Sequence, residues 1–172
     1  MDKPNRSLIY SKKNNINLKL HFFEPSQKKS KSTLLLFHGG AWAFGSSYSL
    51  FKICSDISSQ GITCISADYR IALKHDSKVK DSMDDARAAY QWIISNAKEL
   101  NIDPDNIFVG GGSSGGQLAA SLAMIPDENN KTIEKIKGLV LLNPALNTSV
   151  LDREIPDNIC LLYTSDAADD RM

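Results

Sequence analysis

Short apolar runs alternate along this chain with amphipathic stretches of helical period. Over residues 16–23 the apolar positions Ile16, Leu18, Leu20 and Phe22 fall on every second residue, the pattern of a half-buried strand. Residues 33–37, 62–65 and 138–142 are nearly continuous apolar runs of strand length, as expected for strands covered on both faces. A further short strand is predicted over 107–109. Met83, Ala86, Tyr90, Ile93, Ala97 and Leu100 recur at steps of three and four, which predicts a helix over 82–100 with Ser82 and Asp85 as a capping box. A second helix is predicted over 48–60, closed by Gly61, and a third over 117–124, stopped before Pro126. Polar segments at 26–32 and 101–106 read as turns.

Strands alternating with helices predict an α/β fold, a mostly parallel sheet with helices on both faces and binding sites at the carboxyl ends of the strands. A chain of 172 residues fits one domain of this kind, and 42% apolar content is enough for a packed core. Lysine plus arginine and aspartate plus glutamate each total 20, so no net charge points to nucleic acid or an anionic membrane as partner. The basic stretch Lys28-Lys29-Ser30-Lys31 reads as a solvated loop. No apolar run is long enough to span a bilayer, and residues 1–17 lack the apolar core of a signal peptide, so the expected location is the cytoplasm. Cys54, Cys64 and Cys160 have neither metal-ligand spacing nor the number for a disulfide framework, and they read as buried free thiols.

Two glycine-rich segments carry candidate chemistry. Gly110-Gly-Gly-Ser-Ser-Gly-Gly116 lies between a predicted strand and a predicted helix. It contains G-x-S-x-G in two frames, centred on Ser113 and on Ser114. Such a strand-to-helix turn lifts a serine into a cleft, and the following helix aims its amide end at developing negative charge. The same glycines also spell G-x-G-x-x-G. A dinucleotide site, however, wants an acidic residue at the end of the next strand, where this chain has Leu142-Asn143. No Gly-Lys-Ser/Thr follows to make a phosphate-binding loop. The second segment, His38-Gly-Gly-Ala-Trp42, follows the strand over 33–37 and can turn bare backbone N–H groups into the same cleft.

In these residues the chain resembles the hormone-sensitive-lipase-like branch of the α/β-hydrolases, which includes bacterial acetyl esterases and xylan or feruloyl esterases. The matching segments are His38 to Trp42, Ser66-Ala-Asp-Tyr-Arg-Ile-Ala72, Asp84-Asp85 with Trp92, Gly111-Gly-Ser-Ser-Gly-Gly-Gln-Leu-Ala119, and Asn143-Pro144. The resemblance implies an α/β-hydrolase fold and an ester hydrolase acting on short acyl esters. It places the nucleophile at Ser113 and the oxyanion hole at the N–H groups of Gly39, Gly40 and Ser114. It implies no cofactor and no metal, a small-molecule ester as substrate with acylated carbohydrate as one candidate, and no nucleic acid or membrane partner. Many members carry Asp where this chain has Gly112, and Asp68-Tyr69-Arg70 is read as structural support. A serine peptidase on the same fold, or a catalytically inactive chain of that fold, are the alternatives.

One element of the expected chemistry is missing. The fold runs nucleophile, acid, then histidine along the chain, yet His21, His38 and His75 all precede Ser113. Asp152, Glu154 and Asp157 follow too soon for the acid the resemblance implies. The segment Cys160 to Asp169 resembles the translation of a transposase adapter used in sequencing-library preparation. Residues 1–159 are therefore expected to be a partial hydrolase domain lacking its last strands and helices, and residues 160–172 a non-native tail.

Overall fold

The structure is a computed structural model that describes residues 2–13, 15–126, 133 and 135–146. Its sheet has the strand order β1-β2-β4-β3-β5-β6, formed by Arg6–Lys13, Ile16–Phe23, Thr63–Ala67, Thr33–Phe37, Ile107–Gly112 and Gly138–Leu142 respectively. β1, β2 and β4 pair antiparallel, whereas β3 pairs parallel with both β4 and β5, and β5 pairs parallel with β6. The predicted α/β sheet is present, with antiparallel strands confined to its N-terminal side.

Helices α1 (Phe51–Ser59), α2 (Ala72–His75), α3 (Val79–Ser95) and α4 (Ser114–Met124) fill the connections. Leu20, Phe22, Leu35, Phe37, Ile65, Ile107 and Val109 are fully buried from the strands, and they pack with Ala86, Ala89, Tyr90, Ile93, Leu118 and Leu122 of α3 and α4. A smaller cluster of Phe23, Leu36, Phe51, Cys54 and Cys64 seats α1, and it leaves Cys54 and Cys64 as buried free thiols. No helix among the described residues is long and apolar enough to cross a membrane.

Several elements depart from the expected limits. The 48–60 helix is a 3-10 turn, Ser47–Leu50, followed by α1. The long helix begins at Val79 rather than Ser82, where the Asp81 carboxylate accepts the Lys78 N–H at 2.9 Å. Ser82 and Asp85 do not cap it, because both are fully buried and turned to Arg70. Ser82 Oγ donates to the Arg70 carbonyl, and the Asp85 carboxylate takes the Arg70 guanidinium at 2.8 and 2.9 Å. The helix also ends at Ser95, five residues before the last position of its apolar period. β6 is not the buried strand expected, with Leu139 and Val140 each 38% exposed and Leu142 57% exposed. Among the described residues it pairs with β5 alone, so one edge and much of its surface stay uncovered. The acidic positions Asp152, Glu154 and Asp157 and the tail 160–172 lie outside the described residues.

The topology brings the chemistry together at one edge. β3, β4 and β5 are adjacent and parallel, so the loops after Phe37, Ala67 and Gly112 leave the sheet side by side. Those loops carry His38 to Ser46, Asp68 to Ile71, and Ser113.

Candidate active site

Ser113 stands at the junction of β5 and α4 with φ 52° and ψ −122°, a conformation a non-glycine residue adopts only under constraint. Three backbone hydrogen bonds hold it there. Its N–H donates to the Leu142 carbonyl at 3.0 Å, and its carbonyl accepts from Gln117 N–H and Ala145 N–H at 3.1 Å each. The residue is exposed, whereas Ser114, the first residue of α4, is fully buried. Ser114 Oγ sits beside the Tyr69 hydroxyl without a hydrogen-bond partner of good geometry. Of the two possible frames, only the one centred on Ser113 presents a side chain to solvent.

The loop after β3 faces this turn. A Cβ built on Gly39 would lie 3.0 Å from the Gly112 carbonyl oxygen and 3.4 Å from the Ser113 Cβ, so the bare backbone of Gly39 lies alongside the serine. Positive φ recurs through the loop, at Gly40 (136°), Ala41 (50°), Trp42 (58°) and Gly45 (100°). The turn closes on itself through Ala43 N–H and Phe44 N–H, which both donate to the Gly40 carbonyl. Trp42 Nε1 donates to Gln117 Oε1 at 3.2 Å, tying the loop to α4, and the Trp42 and Ala43 carbonyls accept from Ala72 and Leu73 N–H.

Each of the three histidines is committed elsewhere. His38 is buried, stacked on Tyr69 with ring centroids 4.3 Å apart, and its Nδ1 meets the Gly39 carbonyl at 2.7 Å. Burial lowers its pKa, against the raising effect of the Gly39 contact and the Asp68 charge, so it is a neutral scaffold residue. The Tyr69 hydroxyl donates to the His38 carbonyl at 2.7 Å, and burial raises its own pKa. His75 Nδ1 accepts the Ile71 N–H at 3.0 Å. His21 lies on β2, 2.8 Å from Ser7 Oγ and 3.5 Å from the Asp68 carboxylate. Among the described residues Ser113 Oγ has no histidine partner.

Asp68-Tyr69-Arg70 braces the site. Arg70 is clamped between Asp85 and Asp81, Tyr69 supports His38, and Asp68 reaches the far end of the glycine loop. Sequence reasoning did not find Asp68 in that place, because its partners come from two distant segments, Lys19 and His21 from β2 and Ser47 from the turn that ends the glycine loop.

A family model described as alpha/beta hydrolase fold matches residues 34–167. Among curated proteins, the chain is 30% identical over 159 residues to probable carboxylesterase 5 of Arabidopsis thaliana, covering 84% of this chain and 49% of that protein. It is 34% identical over 113 residues to an arylesterase of Saccharolobus solfataricus, covering 65% of this chain and 36% of that protein. Among solved structures, a thermophilic esterase of Thermogutta terrifontis with propionate bound superposes with a TM-score of 0.73 at 32% identity. That match covers 81% of this chain and 54% of the other. The same esterase phosphorylated by paraoxon gives a TM-score of 0.74 at 32% identity, over 87% and 59% of the two chains. The chain thus spans about half the length, or less, of the curated relatives it matches.

Proposed function

The chain belongs to the α/β-hydrolase fold family, and on that footing we propose that its protein is a carboxylic-ester hydrolase with Ser113 as nucleophile. The observation that carries the reading is the exposed Ser113 at positive φ beside the bare backbone of Gly39. Ser113 Oγ adds to the ester carbonyl. The N–H groups of Gly39, Gly40 and Ser114 take the resulting oxyanion, an interaction worth roughly 2.7–4 kcal/mol of transition-state stabilisation for each donor. The alcohol leaves with a proton, and water then releases the acid from the acyl-serine. Small acyl groups suit the reading, because the Thermogutta terrifontis esterase binds propionate and butyrate. No cofactor enters this chemistry. An acylated carbohydrate is one candidate substrate.

The proton needs a base, and His21, His38 and His75 are each bonded away from Ser113. The family resemblance supplies one as a histidine oriented by Asp or Glu downstream of the serine. The same observation favours a second reading for the 172 residues taken alone, an inactive chain of this fold. Without a base, such a chain is expected to hydrolyse p-nitrophenyl acetate more slowly than the full-length gene product, by about 10⁴-fold or more. Equal rates would show that a base is already present.

The Thermogutta terrifontis esterase is phosphorylated by paraoxon, which supplies a direct test. The full-length gene product treated with paraoxon should release a stoichiometric burst of p-nitrophenolate. Peptide mass spectrometry should place the diethylphosphoryl group on Ser113. A phosphorylated Ser114, or no adduct, would overturn the assignment.

A further inference from the structure

The glycine loop is held at its start by His38 and Tyr69 and in its middle by Trp42. What holds its far end takes no part in the chemistry proposed above. The loop runs into the 3-10 turn at Ser47, which is fully buried. Ser47 Oγ donates to Asp68 Oδ1 at 2.5 Å, and Ser66 Oγ donates to the Ser47 carbonyl at 2.9 Å. Asp68 is in turn surrounded. His21 Nε2 lies 3.5 Å from Oδ1, Lys19 N–H donates to Oδ2 at 3.2 Å, and the Tyr10 hydroxyl donates to the Asp68 carbonyl at 2.6 Å. Ser7 Oγ closes the far end against His21 Nδ1 at 2.8 Å. Burial works to raise the Asp68 pKa, but hydrogen bonds from His21, Ser47 and Lys19 hold it below the ordinary carboxylate value. A line of side chains therefore crosses from β1 through β2 to the turn that ends the loop.

We propose that Asp68, acting through Ser47, is a positioning residue that keeps the Gly39 and Gly40 N–H groups at the distance an oxyanion requires. The proposal rests on the reading of Ser113 and this loop as a hydrolytic site. Ala41 and Trp42, non-glycine residues at positive φ, make the loop a conformation that persists only when its surroundings fix it. Oxyanion donors must sit about 2.7–3.1 Å from the developing charge, and a misplacement of about 1 Å can cost about a hundredfold in rate. The ester carbonyl gains its charge only in the transition state, so a loosened loop should act on kcat and leave KM nearly unchanged.

The test uses the full-length gene product with active sites counted by paraoxon, so that misfolded molecules do not enter kcat. Ser47→Ala and Asp68→Ala should each lower kcat on p-nitrophenyl acetate about tenfold with KM within about twofold. Asp68→Asn should recover most of that loss, because its amide oxygen still accepts the Ser47 hydroxyl. Ile102→Ala removes a core side chain at the opposite end of the sheet. It should lower Tm while leaving kcat per counted site unchanged. Wild-type kcat in both Ser47→Ala and Asp68→Ala would overturn the proposal, as would an equal kcat loss in Ile102→Ala. Failure of the hydrolytic reading itself would show separately, as activity surviving in Ser113→Ala.

Discussion

Ser113→Ala is expected to lower kcat for p-nitrophenyl acetate in the full-length gene product by about 10⁴-fold or more, while Ser114→Ala stays within about threefold of wild type. The contrast follows from the two neighbouring side chains. Ser113 is exposed at the turn, beside the bare backbone of Gly39. On the proposed mechanism, removing its hydroxyl leaves the oxyanion donors with nothing to add to the carbonyl. In the proposed mechanism Ser114 offers only its backbone N–H, which alanine keeps, and its hydroxyl is buried without a hydrogen-bond partner of good geometry. Deleting a hydroxyl that makes no well-formed bond removes little stabilisation and even relieves a desolvated group. Thermal melts should show both variants folded. The reverse pattern, an inactive Ser114→Ala with an active Ser113→Ala, would move the nucleophile to the other frame. Full activity in both would remove the elbow from the chemistry.

The elbow was legible in the sequence because glycines leave a mark that periodicity cannot disguise. Gly110 to Gly116 between an apolar run and an amphipathic stretch predicts a crowded turn, and the structure has one. The buried strands β3 and β4 were legible for the same reason, since both faces are covered and every position is apolar or small. β1 was not. Its sequence Arg6–Lys13 sets the adjacent residues Leu8, Ile9 and Tyr10 among polar and charged ones, so the apolar positions do not alternate although burial does from Arg6 to Tyr10, and the register slips between Ile9 and Ser11. β5 runs past its apolar residues to Gly112, because the parallel ladder with β6 continues through glycines that carry no hydrophobic signal. The start of α3 was misplaced because Ser82 and Asp85 look like a cap in sequence but answer to Arg70 in space. Asp68 shows the same limit at the site. Its position beside Tyr69 and Arg70 was visible, but its hold on Ser47 depends on β2, β4 and the loop meeting, which no local pattern encodes.

Gly115→Ala should be severely damaging, whereas Gly112→Ala, three residues earlier, should be nearly silent. A Cβ on Gly115 would lie 2.1 Å from the Phe37 carbonyl oxygen and 2.6 Å from that of His38. Both obstacles are backbone, and the Phe37 carbonyl ends a strand buried on both faces, so neither can swing aside as a side chain would. The helix α4 would have to lift off the end of β3, pulling Ser113 away from Gly39. A cost of about 3 kcal/mol or more is expected, at the upper end for overpacking because the contact is rigid. For a domain of this size that lowers Tm by roughly 10 °C. Gly112 has no positive φ, and its nearest neighbour would be the Leu142 carbonyl oxygen at 3.7 Å, an ordinary contact. Alanine there should change stability by less than about 1 kcal/mol, with a small gain from the less flexible unfolded chain. Paired thermal melts and paraoxon burst titrations of the two variants read both effects. A stable, fully titratable Gly115→Ala would mean that α4 does not press against β3 as described. The loop carrying Gly39 and Gly40 would then be tied to α4 by the Trp42–Gln117 hydrogen bond rather than by the Gly115 contact.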